Sequence, residues 1–404
     1  MKSHVKALVL ALLAWSGAAL IADDIHPAVP SDLAVHEWGT FTSVAGPDGS
    51  AIEWNVLGCK DDLPGFVYDY GYRGFKVGLS GTVRLETPVI YFYSASELEA
   101  RVKVEFPGGV ITEWYPRAEY PIPVFQRSRI DGSARRLDAS LNGMDMSLRN
   151  KTGAIEWRNV KIQPYTSLAL PVENGPSRYY AARGTDAAPL SVDGQNEKFL
   201  FYRGVGRFQV PLSATLSADN KVSTENRGHD PVPFVILFEN RGGRIGYRNA
   251  GAVEQAVALD PPALDGSFEP LRYDLETALV AQGLFPKEAH AMVETWRDSW
   301  FEEGSRLIYI VPSPAIDTIL PLQVEPAPSQ TARIFVGRIE LITSETKRAV
   351  EQAIAKGDRS IIDRYGRFLD PILKRISSEN PSKQIQIEQF RRSIQVPLGP
   401  GQCR

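Results

Sequence analysis

Residues 101–115 read RVKVEFPGGVITEWY. Val102, Val104 and Phe106 alternate with Arg101, Lys103 and Glu105. A period of two puts one face of a strand in a core and the other toward water. Pro107-Gly108-Gly109 then breaks the run before a β-branched and aromatic stretch, residues 110–115. The two halves are predicted to pair as a hairpin across the glycine turn.

The same character extends outward. Residues 35–44 predict a first strand, and residues 83–93 (VRLETPVIYFY) a second. Pro88 cannot donate to a ladder, so it marks an edge or a bulge. Residues 154–163, 198–203 and 207–212 read as further strands. Residues 233–240 and 244–248 flank Arg241-Gly242-Gly243 as another hairpin. Residues 32–249 therefore predict an antiparallel β-rich region, sandwich-like in its many short strands.

Residues 249–270 carry Pro and Asp and read as a connection. Beyond it the period changes. Leu271, Leu275, Ala278 and Leu279 mark one face of a helix ended by Gly283. Pro286 opens a second helix, striped by Ala289, Met292, Val293, Trp296 and Trp300. Residues 306–311 and 331–341 are strands. Residues 345–356 form a helix closed by Gly357, with Asp358 placed to cap the next. That helix runs through Ile361, Tyr365, Phe368, Leu369, Ile372 and Ile376, with a kink at Pro371. Residues 384–396 fit helix or strand. The fold class is thus α+β: the β-rich region, then a helix-richer mixed α/β region over residues 271–404. The second packs on the first or joins its sheet through the strands at Arg306 and Arg333.

The chain opens with Lys2 and Lys6, an apolar run over residues 7–21, and Ala22 before Asp23 and Asp24. This is the pattern of a secretory signal peptide over residues 1–22. The run falls short of the about 20 apolar residues that span a bilayer. No later segment is apolar enough, so no integral membrane segment is expected after cleavage. The mature chain is expected in the periplasm or outside the cell. Lys and Arg number 45 against 48 Asp and Glu, a net charge of −3 with no basic stripe, which argues against nucleic acid as a partner. Cys59 and Cys403 are either one disulfide in an oxidising compartment or two free thiols.

Signatures of phosphate, dinucleotide, zinc-protease and serine-hydrolase chemistry are absent from the sequence. It therefore names no cofactor. His36-Glu37-Trp38-Gly39-Thr40 is its densest motif. On a strand His36, Trp38 and Thr40 share one face and Glu37, Gly39 and Phe41 the other. Trp38 reads as core with His36 satisfied beside it, or His36, of the side-chain type that titrates near neutral pH, works with Glu37 as acid, base or metal oxygen where a bulge lets both serve one site. His229-Asp230-Pro231 reads as a turn or as a ligand-binding loop. His290, Glu294 and Arg297 share a helical face, on which His290 can meet Glu294. Residues 66–75 (FVYDYGYRGF) interleave aromatics with Asp69 and Arg73, as a packed strand face does, or as a sugar platform does.

HEWGTFTSV (36–44), LETPVIYFYS (85–94), FYRGVGRF (201–208), ETWRDSWFEEGSRLIYIVP (294–312) and RIFVGRIEL (333–341) together resemble a family of uncharacterised exported bacterial proteins. The resemblance spans most of the mature chain and implies export, with no activity or site residue attached.

Three functional readings follow. The first is non-enzymatic binding of a ligand or protein partner, through His36, Trp38, Tyr91, Tyr93 and Arg203. The second is a hydrolase, glycan-directed in one form, using Glu37, Glu86 and Asp69 with Tyr91 and Tyr93 alongside. Two carboxylates flanking a glycosidic bond would stand about 5–10 Å apart. The third is a metal site of His36, Glu37 and His229, in which both imidazoles would lie about 2.1 Å from one ion.

Overall fold

The computed structural model describes residues 32–55, 63–69, 80–119, 152–175 and 177–394. In chain order the strands are β1 (Ala34–Val44), β2 (Trp54–Asn55), β3 (Tyr68–Asp69), β4 (Ser80–Gly81), β5 (Val83–Tyr93), β6 (Leu98–Pro107), β7 (Gly109–Tyr115), β8 (Thr152–Ile162), β9 (Leu190–Val192), β10 (Gln195–Glu197), β11 (Leu200–Gly206), β12 (Leu212–Leu216), β13 (Val222–Asn226), β14 (Val232–Arg241), β15 (Arg244–Val253), β16 (Ala256–Leu259), β17 (Gly304–Ile310), β18 (Leu322–Glu325) and β19 (Gln330–Leu341). The helices are α1 (Phe268–Ala281), α2 (Pro286–Trp300), α3 (Ser313–Ile319), α4 (Ser344–Lys356), α5 (Ile361–Tyr365), α6 (Leu369–Glu379) and α7 (Gln384–Ile394).

A nine-stranded sheet in the order β15-β14-β17-β19-β1-β5-β11-β7-β3 is the frame. A five-stranded sheet, β10-β9-β8-β6-β18, packs on one of its faces. Between them lies a core that takes Val35, Phe41, Leu85, Ile90 and Tyr202 from the large sheet and Val102, Val104, Phe106, Ile155 and Trp157 from the small one. The other face is covered by helices. α1 and α2 pack over Trp38, Val89, Tyr91, Ile308 and Ile334. The helices after Ser344 pack over Val44 and Val205. The fold is α+β: antiparallel sheets fill its first part and helices lie mostly in the C-terminal part. Fully burying one large apolar side chain contributes about 1.5–3 kcal/mol, so these three clusters carry the stability.

The strands at Arg306 and Arg333 enter the large sheet at its centre. β19 lies between β17 and β1, and its pairing with β1 is parallel, Trp38 against Ile334. The β14–β15 hairpin forms around Gly242 and Gly243, both at positive φ, as a tight two-residue turn requires.

Other expectations are corrected. β6 and β7 are not a hairpin: β6 pairs with β8 and β18, whereas β7 pairs with β11 and β3. Pro107-Gly108-Gly109 turns a corner from one sheet to the other. Phe106 fills that corner, where a Cβ on Gly109 or Gly204 would meet its ring at 2.3 and 2.9 Å. Residues 207–211 form a loop, since Pro211 offers no donor and the Arg207 N–H bonds the Gly108 carbonyl. The stretch 249–270 holds the end of β15 and all of β16, which pairs with β13. Pro88 marks a bulge and not an edge: β5 lies between β1 and β11, and its register with β1 shifts between Trp38 and Thr40. The helix over residues 361–376 breaks at Gly366, at φ +42°, and not at Pro371. Pro371 lies in the first turn of α6, where no intrahelical donor is lost. Asp358 accepts from the Ser360 N–H in a turn, and Ser360 occupies the cap position of α5.

Candidate functional site

β1 and β5 run antiparallel with Ala34 opposite Tyr93, His36 opposite Tyr91, and Trp38 opposite Val89. Residues directly opposite one another share a face. His36, Trp38, Tyr91 and Tyr93, four of the five expected binding residues, thus stand side by side beneath the helical layer. The Tyr91 hydroxyl donates to the Ala182 carbonyl at 2.6 Å. The Trp38 and Tyr91 rings lie 5.7 Å apart.

α2 completes the group. Its third residue, Glu288, reaches back so that Oε2 accepts from the Phe285 N–H at 2.8 Å, the carboxylate half of an N-terminal capping box. The same oxygen lies 2.7 Å from His36 Nδ1, and both side chains are fully buried. The Phe285 ring lies against His36 at a tilt of 32°, with ring centroids 4.6 Å apart. It meets Tyr93 edge-on at 4.9 Å. His36 and Tyr93 are 5.2 Å apart. Phe285 is 42% exposed, whereas His36 beneath it has no exposed surface.

Two polar atoms of this group have no hydrogen-bond partner in the protein: His36 Nε2 and Trp38 Nε1. The Tyr93 hydroxyl hydrogen-bonds Glu288 and Thr185. Burial, then the Glu288 carboxylate, push this phenol's pKa up, so it keeps its proton. Most buried polar groups in folded proteins are satisfied, and a cluster of exceptions calls for an explanation.

The remaining expected residues lie elsewhere. Glu37 projects from the opposite face of β1. It accepts from the Tyr202 hydroxyl at 2.6 Å and from Arg333 Nε at 2.7 Å. Glu86 shares the face of His36 but lies further along, opposite Thr40, and is bound by Arg367 at 2.8 Å. Burial pushes its carboxyl up, but Arg367, Arg84 and Thr42 outweigh that and hold it at about 2. Around it lies a buried charged band. Arg338 bonds Glu302 at 2.6 Å and Arg306 bonds Glu340 at 3.0 Å. Burial, then the neighbouring Arg306, bring the Arg338 guanidinium down to about 10. Arg203 bonds the Thr87 hydroxyl at 3.3 Å. In register it faces Glu113 of β7, which faces Asp69 of β3 at the sheet edge.

His229 is exposed in the loop before β14, away from the buried His36. Among the described residues no group of three or more His, Cys, Asp or Glu side chains could hold a metal. His290 bonds Glu276 of α1 at 2.8 Å, and not Glu294. Phe66 and Tyr68 pack against the aromatic cluster under α2. Residues 70–75, Cys59 and Cys403 lie outside the described residues. Clefts of about 390 Å³ beside Arg207 and Arg227 and about 500 Å³ beside Arg101 and Arg158 touch none of the His36 group. No described helix is long and apolar enough to cross a membrane.

Sequence reasoning missed Phe285 and Glu288. Their signal is local: Phe-Pro-Lys-Glu at 285–288 puts a carboxylate at the third helical position after a proline start. What that carboxylate meets, 252 positions away, is not local.

The chain matches no family model and no curated protein. Among solved structures it is similar to the yeast delta-COP-I mu-homology domain at 9% identity and a TM-score of 0.27, covering 78% of this chain and 97% of that one. The same domain complexed with a Dsl1 WxWxV peptide gives 9% identity and a TM-score of 0.26, covering 78% and 98%. Likeness at that level carries no argument about this chain's fold or role.

Proposed function

We propose that this is an exported bacterial protein that binds a ligand or protein partner outside the cytoplasm without transforming it, and that binding takes place at the His36 face. Export rests on the leader pattern of residues 1–22. The observation that carries the binding site is the pair of buried atoms without a hydrogen-bond partner in the protein, His36 Nε2 and Trp38 Nε1, beside the half-exposed Phe285 ring. A ligand that hydrogen-bonds there would satisfy groups that are costly to leave alone.

The arrangement of the acids argues against hydrolysis. Glu37 and Glu86 project from opposite faces of the sheet, so they cannot flank one bond. A general acid must hold its proton near the working pH, and Glu86, at about 2, does not. Glu37, Glu86, Glu197 and Glu340 are each committed to an arginine.

The test is a thermal-shift screen of the mature protein against small polar metabolites and peptides, with each hit followed by mass spectrometry for turnover. The expected hit raises the melting temperature, is recovered unchanged, and binds more weakly to His36→Ala. Catalytic consumption of the hit would overturn the binding reading. Recovery of the intact leader-bearing chain from cytosol would overturn export.

A further inference from the structure

We propose that the cleft between Arg207 and Arg227 binds a small organic monocarboxylate, with the carboxylate on the two guanidiniums and the carbon chain against Phe208, Val210 and Leu212. The site shares no residue with the His36 face and stands whether or not that face takes a ligand.

The first argument is that the cleft is built. Three segments frame it: the turn between β1 and β2, the loop between β11 and β12, and the residue after β13. Hydrogen bonds fix them. Arg227 Nη1 donates to the Ser50 hydroxyl at 3.1 Å, and the Arg227 N–H to the Pro211 carbonyl at 2.7 Å. The Arg207 N–H meets the Gly108 carbonyl at 2.9 Å. Gly49 turns the first segment at φ +80°, where a Cβ would meet Thr215 Cγ2 at 2.9 Å. Held in this way, the segments leave a space of about 390 Å³. Small-molecule sites run from about 300 to 1,000 Å³.

The second argument is a surplus of donors. A guanidinium carries five N–H donors and no acceptor. Arg207 spends Nη2 on Glu53, whereas its Nε is buried without a partner. Both arginines line the cleft, and among the described residues no carboxylate does.

The third argument sets the charge and body of the ligand. Three acids neighbour the arginines from outside the lining. Glu53 pairs with Arg207, Glu225 lies 3.6 Å from Arg227 Nε, and Asp48 accepts from the Ser50 N–H at 3.1 Å. Glu53 and Glu225 are 45% and 66% exposed, so water screens much of their charge. What remains disfavours a dianion such as phosphate. A single charge spread over a planar carboxylate suits the guanidinium fork. Phe208, Val210 and Leu212 add an apolar wall for a carbon chain.

Hexanoate, 1-hexanol, hexylammonium and inorganic phosphate are each titrated into the mature protein at constant ionic strength, by calorimetry and by arginine ¹⁵Nε signals. Hexanoate is expected to bind at least about tenfold tighter than hexanol, a difference of about 1.4 kcal/mol. It should also outbind phosphate and move the Arg207 Nε signal. Arg207→Met should abolish the preference over hexanol. Glu53→Gln removes a neighbouring charge and frees Nη2, so it should tighten hexanoate by about twofold or more. This half-exposed position serves if Arg207→Met does not fold. His36→Ala should leave hexanoate binding unchanged. The inference is overturned by no binding of hexanoate, equal binding of hexanol, or a preference for hexylammonium or phosphate. An unchanged preference in folded Arg207→Met, or no tightening in Glu53→Gln, overturns it as well. Loss of hexanoate binding in folded His36→Ala would move the anion to the other face and sink the cleft, leaving the His36 reading standing.

Discussion

Glu86 and Arg367 are 281 positions apart in sequence and 2.8 Å apart in space. The pair ties β5, near the centre of the large sheet, to the 3₁₀ turn between α5 and α6. Burial alone would favour the neutral acid. Arg367, Arg84 and Thr42 reverse that and bring the carboxyl from 4.5 to about 2. A folded-state pKa below the unfolded one contributes stability that is complete above the unfolded value and lost as pH falls through the folded one. The chain should therefore lose up to about 3 kcal/mol from this group between about pH 4.5 and pH 2. Urea unfolding at stepped pH measures it. Glu86→Gln should flatten that acid limb, and an unchanged limb would refute the assignment.

Glu37 and Arg333 make a second buried pair, which joins residues 296 positions apart across the parallel β1–β19 contact. Arg333 also donates to the Leu320 carbonyl at 2.6 Å. Removing one partner strands the other charge, so Arg333→Met should cost about 3–5 kcal/mol. The double replacement Glu37→Gln with Arg333→Met should cost less than that single one. A double-mutant cycle by denaturant unfolding decides it, and strict additivity would sink the claim.

The parts of the fold legible in sequence were those set by local period and punctuation. β6 follows from alternation, β5 from its β-branched and aromatic run, the β14–β15 hairpin from its glycine turn, α1 and α2 from 3.6-residue stripes, and α4 from its closing Gly357. Partner choice was not legible. Residues 101–106 and 110–115 both bury an apolar face, and nothing local says that β6 belongs to one sheet and β7 to the other. At the site, the shared face of His36 and Trp38 was readable from strand geometry. Tyr91 and Tyr93 joined them only through register. Glu288 was hidden because its role is set by a helix cap that lands on a strand far away in sequence.

Gly39 lies at the bulge in the β1–β5 register. A Cβ there would meet the Phe335 ring at 2.7 Å and the Pro88 Cα at 3.1 Å. The Phe335 ring stacks on Phe41 and has little room to retreat in a close-packed core. Gly39→Ala should cost about 1–3 kcal/mol through overpacking. Phe335→Leu added to it should recover part of the loss. Thermal unfolding of both variants checks the pair, and a silent Gly39→Ala would mean that the strand relaxes freely.

The C-terminal helices are fastened to the sheet through one apolar cluster. Ile376 of α6 is fully buried with Phe368 and Ile372 against Trp54, Val44 and Val205, residues from the first half of the chain. The Trp54 and Phe368 rings stack at 5.4 Å. Ile376→Ala should therefore cost about 2–5 kcal/mol, the range for a cavity left by a large aliphatic residue. Because the cluster spans helices and sheet, the loss should lower the midpoint of a single transition seen alike by tryptophan fluorescence and far-ultraviolet circular dichroism. The helices interlock with the sheet through Arg367 and Arg338 as well as through apolar contact, and this is the physical reason to expect one cooperative unit. A first transition confined to the C-terminal helices, with the sheet signal intact, would show that the fastening is weaker than its burial implies.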